Sequence, residues 1–147
     1  MAIEYGLSVA SSEGVDRVRS VMAGRLTEVD WDADRVTAYR STGGLLVTVR
    51  EDREVDLVIE EPTVHVGFRL DKFADLGHQQ DEMVGLVVDV LAADAGDAVL
   101  HFQLETIWLL RRGSELLVHA DDDLWPAHRL ALVPGATGRR VMSYPED

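Results

Sequence analysis

The residues best suited to chemistry in this chain are its histidines and its carboxylates. Five histidines occur, at 65, 78, 101, 119 and 128. None pairs at the i,i+4 spacing that sets two imidazoles on one helix face around zinc. Asp30-Trp31-Asp32-Ala33-Asp34 has the alternating carboxylates that open a calcium-binding loop. Arg35 stands where that loop needs glycine and Ser41 where it needs a bidentate glutamate, so the stretch reads as a hairpin turn with solvated acids. There is no Gly-x-Ser-x-Gly elbow and no phosphate-cradling glycine loop. Pro134-Gly135-Ala136-Thr137-Gly138 is a turn without the strand-to-helix context of a nucleotide site.

Charge is the dominant global feature. Twenty-seven acidic against fourteen basic residues give a net of −13, and Lys72 is the only lysine. Such a field repels nucleic acid and anionic membrane, attracts basic partners and favours solubility. Two acidic stretches are candidate partner-binding patches. One is Glu51, Asp52, Glu54, Glu60 and Glu61; the other is Asp121, Asp122 and Asp123 with Trp125, the tryptophan expected to be exposed enough to touch a partner. The absence of cysteine excludes disulfides and thiolate metal sites and fits a reducing compartment. No basic stretch followed by a long apolar run opens the chain, and the longest apolar runs are too short to span a bilayer. A cytoplasmic location, without cofactor, is the expectation.

The elements that must position these residues follow from hydrophobic period. Over Thr63–Phe73, Val64, Val66, Phe68 and Leu70 alternate with His65, Gly67 and Arg69, the pattern of a half-buried strand. Ala2–Ala10 alternates likewise. Ser11 or Ser12 is placed to cap a helix carrying Val15, Val18 and Met22 on one face, with Gly24 as a left-handed stop. Strands are predicted over 26–31, 35–40 and 45–50, then over 98–103, 106–111 and 115–119. Asp75–Asp94 reads as the main helix, with Gly96 as its stop and Gly85 as an interior cost or a close-packing point. The acidic segment 51–61 fits either a strand or a short helix, the helix being favoured, and Pro62 ends it.

The 147 residues suit one domain, long enough to bury roughly 70% of the unfolded surface. Its expected class is α+β, an antiparallel sheet with two main helices on one face. Strand, helix, strand, strand, strand occurs twice, over 1–50 and 63–120. This suggests a duplicated unit followed by an extension over 121–147 that holds a short helix and irregular chain.

Two paired units with strand-borne His and Glu are what vicinal-oxygen-chelate metalloenzymes use. A metal-dependent lyase or resistance protein built on His65, Glu115 and His119 is therefore the enzymatic alternative, and it requires those side chains to meet around one ion. Read as residues alone, His65, His101 and His119 fall on the less apolar side of predicted strands, where they could converge with Glu105 or Glu115, and the favoured reading is three unrelated surface histidines.

A different resemblance rests on Thr63–Phe73 (TVHVGFRLDKF), Gly96–Gly113 (GDAVLHFQLETIWLLRRG), Leu116-Leu117-Val118, Leu124-Trp125 and the N-terminal IEYGLSV strand. These resemble the immunity-protein family of the bacterial contact-dependent swarming-inhibition toxin systems. Gln103-Leu104-Glu105 departs from the Asn-Gly-Glu turn common there. The resemblance implies a small cytoplasmic protein, without catalytic residues, that binds and neutralises a cognate protein toxin. Together with the charge it points to a basic toxin.

Overall fold

A computed structural model describes residues 2–30, 36–52, 56 and 58–145. Its order of elements is β1 (Ile3–Val9), α1 (Val15–Ala23), β2 (Thr27–Val29), β3 (Thr37–Arg40), β4 (Leu46–Glu51), β5 (Val64–Leu70), α2 (Leu76–Ala93), β6 (Ala98–Phe102), β7 (Thr106–Arg112), β8 (Glu115–His119), α3 (Ala127–Leu130) and β9 (Gly138–Arg140). The nine strands form one sheet in the order β2-β3-β4-β5-β1-β6-β7-β8-β9, antiparallel throughout except for the β8–β9 pair. The predicted α+β class and the two main helices are present.

Alternation decides which side chains go where. Tyr5, Leu7 and Val9, with Val64, Val66, Phe68 and Leu70, point to one face and join Val18, Met22, Met83, Val87 and Val90 of the helices in the main core. At α2 the N-cap Asp75 carboxylate accepts the His78 amide at 3.0 Å. Its C-terminus is closed by Arg111, whose guanidinium donates to the carbonyls of Leu91, Asp94 and Gly96. The tail packs beside α2: Arg129, 4% exposed, donates to Asp81 at 2.7 Å and to the Leu124 carbonyl at 2.8 Å, and lies 5.7 Å from the centre of the Trp108 ring.

Strand–helix–strand–strand–strand does occur twice, but the two passes are wired differently. The last strand of the first triplet, β4, abuts β5, whereas the first strand of the second triplet, β6, abuts β1. β1 is thereby inserted between β5 and β6, the arrangement that builds the site described below.

Several local expectations are corrected. Ser11 does not cap α1 directly; its hydroxyl accepts the amides of Glu13 and Gly14 and donates to Asp94, and the helix starts after Gly14. Gly24 ends that helix in the right-handed region, with φ −71°. Of the segment 51–61, Glu51 closes β4, and the described residues 56 and 58–61 show no helix: the Asp56 carboxylate takes the amides of Val58 and Ile59 in a capping turn, and the chain leaves the right-handed region at Glu61, with φ 48°. Gly85 is not a point of close packing on the sheet: a Cβ there meets only an Arg25 guanidinium nitrogen, at 3.5 Å. Gly96 serves close approach, since a Cβ there would run into the Ala10 carbonyl oxygen. The irregular tail contains β9. Trp31 and most of the calcium-like acidic turn lie outside the described residues.

Candidate functional site

The face of the sheet away from the helices is half covered and half open. Over β6–β8, Ile59, Met142 and Tyr144 pack on Val99, Ile107, Leu110 and Leu117, making a second, smaller apolar cluster. Over β4 and β5 the face is open, with Thr48, Arg50, His65 and Gly67 half-buried, whereas Gly6 and Ser8 of β1 are buried. Two cross-strand rows pave it. One runs Thr48–Gly67–Gly6–His101 and the other Arg50–His65–Ser8–Val99. The space above Gly6 is filled by the rings of His65 and His101, while Gly67 adds no side chain to that floor. A trough of about 230 Å³ lies there, lined by Glu4, Thr48, Arg50, His65, Gly67 and Arg69 among others. A second depression of about 190 Å³ shares Arg50 and His65 and reaches Ser8, His101, Leu104, Asp52 and Asp56.

The imidazoles of His65 and His101 meet over Gly6. The position a Cβ on Gly6 would take is 2.8 Å from His101 Nε2 and 3.0 Å from His65 Cε1. Glycine is therefore required at position 6 for both rings to lie there. His101 Nδ1 accepts the Leu104 amide at 3.0 Å, so the neutral ring carries its proton on Nε2. Burial, followed by the neighbouring His65, lowers the His101 pKa to about 4, against the pull of Asp56. Burial also lowers that of His65, assisted by Arg50 and opposed by Asp52, whose Oδ2 is 3.9 Å from Nδ1, and by Asp56. Both rings are thus neutral at pH 7. Tyr144 donates its phenolic proton to Asp56 at 3.1 Å and meets His101 edge to face at 5.3 Å. Its pKa is raised by burial and by Asp56, which keeps the donor protonated.

The turn from Phe102 to Glu105 frames one end. Gln103 and Leu104 have φ of 53° and 58°, both left-handed, as a type I′ hairpin demands and as Asn-Gly supplies without strain. Leu104 is 60% exposed at the mouth of the depression. Arg50 makes no hydrogen bond or ion pair among the described residues, and the carboxylate nearest Arg69 is that of Glu4 at 3.9 Å. Chemically the arrangement offers cationic and neutral N–H donors to an anion. Ser8, His65 and Asp52 have the residue types of a nucleophile, a base and its orienter. No hydrogen bond joins Ser8 to His65 among the described residues, and the His65–Asp52 separation is too long for one.

The sequence-predicted residues are dispersed. Glu51, Glu60 and Glu61 are exposed, Asp52 turns in beside His65, and Glu54 lies outside the described residues. Asp121–Asp123 follow β8 at the other end of the strands, where Asp122 pairs with Arg139 at 3.0 Å and Asp121 accepts the Asp123 amide. The two patches therefore occupy opposite corners of the sheet. Trp125 corrects the expectation of an exposed aromatic anchor. It is 1% exposed, and its indole N–H donates to the Trp108 carbonyl at 3.0 Å, because the ring is turned into the core under α3.

The metal alternative fails on convergence. β1, β6 and β7 lie between His65 on β5 and His119 on β8, a separation of roughly 19 Å at the usual strand spacing. Glu115 sits at the far end of β8 from His119, and His119 Nδ1 instead accepts the Asp121 amide. Among the described residues, no group of three or more His, Cys, Asp or Glu is placed to hold an ion. What sequence reasoning missed around the strand histidines is Gly6, Arg50, Gly67 and Tyr144. The strand alternation placed His65 and His101 on the less apolar side, but only the insertion of β1 brings them together.

No curated protein and no solved structure matches the chain. A family model described as SitI3-like matches residues 3–129, from β1 through α3 to Arg129, and the chain belongs to the SitI3-like family.

Proposed function

We propose that this chain is a non-enzymatic immunity protein, acting in the cytoplasm, that binds and neutralises a cognate bacterial protein toxin. Membership of the SitI3-like family over residues 3–129 is the observation that carries the reading. The site is consistent with it: the trough is open, Ser8 makes no hydrogen bond to His65 among the described residues, and no helix among them is long and apolar enough to cross a membrane. The open face over β4 and β5 is the proposed docking surface, with Glu51, Glu60 and Glu61 as an acidic rim that steers a basic toxin. A standard interface covers about 800 Å² on each partner, roughly 30 Å across. The Asp121–Asp123 corner lies outside a footprint centred on that face.

Growth protection tests the proposal. Cells producing the cognate toxin resume growth when this chain is co-expressed. Equal killing with and without the chain contradicts it. Reversing Glu51, Glu60 and Glu61 to arginine together slows association several-fold at low salt and less at high salt.

A further inference from the structure

We infer that the trough lined by Thr48, Arg50, Gly67 and Arg69 is the receptor for a single carboxylate side chain of the bound toxin. This rests on the immunity reading and adds the chemistry of one contact to it. Arg50 is half-buried on the open face, and its guanidinium meets no acceptor among the described residues. An arginine held this way in a chain of net charge −13 is a donor fork awaiting a planar anion. Arg69 supplies a second cationic donor on the same lining, its nearest carboxylate being that of Glu4 at 3.9 Å. Thr48 adds a hydroxyl beside Gly67, 2.7 Å from where a Cβ on that glycine would lie. Gly67 adds no side chain of its own to this lining, which leaves an incoming group room to reach these donors.

Size separates the occupants. Small-molecule sites usually run to about 300–1,000 Å³ and enclose their ligand. This trough, at about 230 Å³, is smaller and open along the sheet, room for one carboxylate side chain presented on a protein surface. Leu104, exposed on its strained turn at the adjoining depression, offers apolar contact on the same face, as the surround of an interface hot spot does.

The experiment is a double-mutant cycle on the complex of the full chain with its cognate toxin, by titration calorimetry. Wild-type affinity is measured first; if the wild-type chain does not bind the toxin, the immunity reading falls and this inference with it. Arg50→Met keeps the bulk of the stem and removes the donors. Thr48→Glu fills the trough with a resident carboxylate while leaving Arg50 in place, and circular dichroism checks both folds. Each variant is expected to bind roughly tenfold or more weakly. Replacing the toxin's acidic residues one at a time by their amides should reveal one that couples non-additively with Arg50→Met. If both variants bind within about twofold of wild type while the Glu51, Glu60 and Glu61 reversal weakens binding, the toxin sits on the acidic rim and the trough is not its receptor. Uncoupled toxin acids together with competition by inorganic phosphate would also overturn the inference, since the trough would then serve a free anion.

Discussion

Acid should destabilise this protein through His101 in a window set by its environment. The ring is 6% exposed, its pKa is lowered from 6.5 to about 4, and Nδ1 is committed to the Leu104 amide. Groups facing it are His65, whose charge would oppose its protonation, Asp56, whose charge favours it, and the Tyr144 ring edge. Because folding lowers the pKa, the unfolded chain holds more protons between about 4 and 6.5. The stabilisation from a neutral His101 is therefore full above that window and is lost as pH falls through it. At about 1.4 kcal/mol per pKa unit the loss is roughly 3 kcal/mol, a large part of the stability of an ordinary domain. His101→Asn keeps an acceptor where Nδ1 sits and removes the titration. Urea unfolding of both proteins at pH 7 and pH 4.5 separates this effect from the carboxylates, which titrate in both. Wild type should lose roughly 2–3 kcal/mol more than the variant between the two pH values. Parallel losses would refute the reasoning, because they would mean that the ring is hydrated or already charged in the fold.

Gly6→Ala should cost roughly 1–3 kcal/mol in urea unfolding, since its Cβ would displace both imidazole rings; an unchanged midpoint would show that the rings do not meet there. Arg129→Leu should cost roughly 1–3 kcal/mol, because it leaves the Leu124 carbonyl without its donor and Asp81 with only His128 as a partner among the described residues, and a loss below about 0.5 kcal/mol would show that the tail is not pinned through this residue. Leu104→Gly should stabilise by a few tenths to about 1 kcal/mol in the same assay, as glycine accepts φ near 58° without strain; a destabilised variant would mean that the leucine side chain, rather than the turn, sets the balance.

Much of the scaffold was legible because it depends on local period. Val64, Val66, Phe68 and Leu70 alternate in sequence and all four are buried. The α2 stripe and its Asp75 start also follow from neighbours a turn apart. Long-range pairing is what hid the site. Consecutive strands usually lie side by side, whereas β1 here separates β5 from β6 and carries Gly6 between His65 and His101. β9 was equally hidden, since Gly138–Arg140 has no alternation and is held by parallel pairing with β8. Trp125 misled because its three acidic neighbours are solvated while its own ring turns inward. The left-handed pair Gln103–Leu104 lacked the glycine or asparagine that announces such a turn.

The most direct measurement is calorimetric titration of the purified chain with the cognate toxin domain at low and at physiological salt. The account predicts saturable one-to-one binding that weakens as salt rises. Titration to micromolar excess without binding at either salt would contradict it.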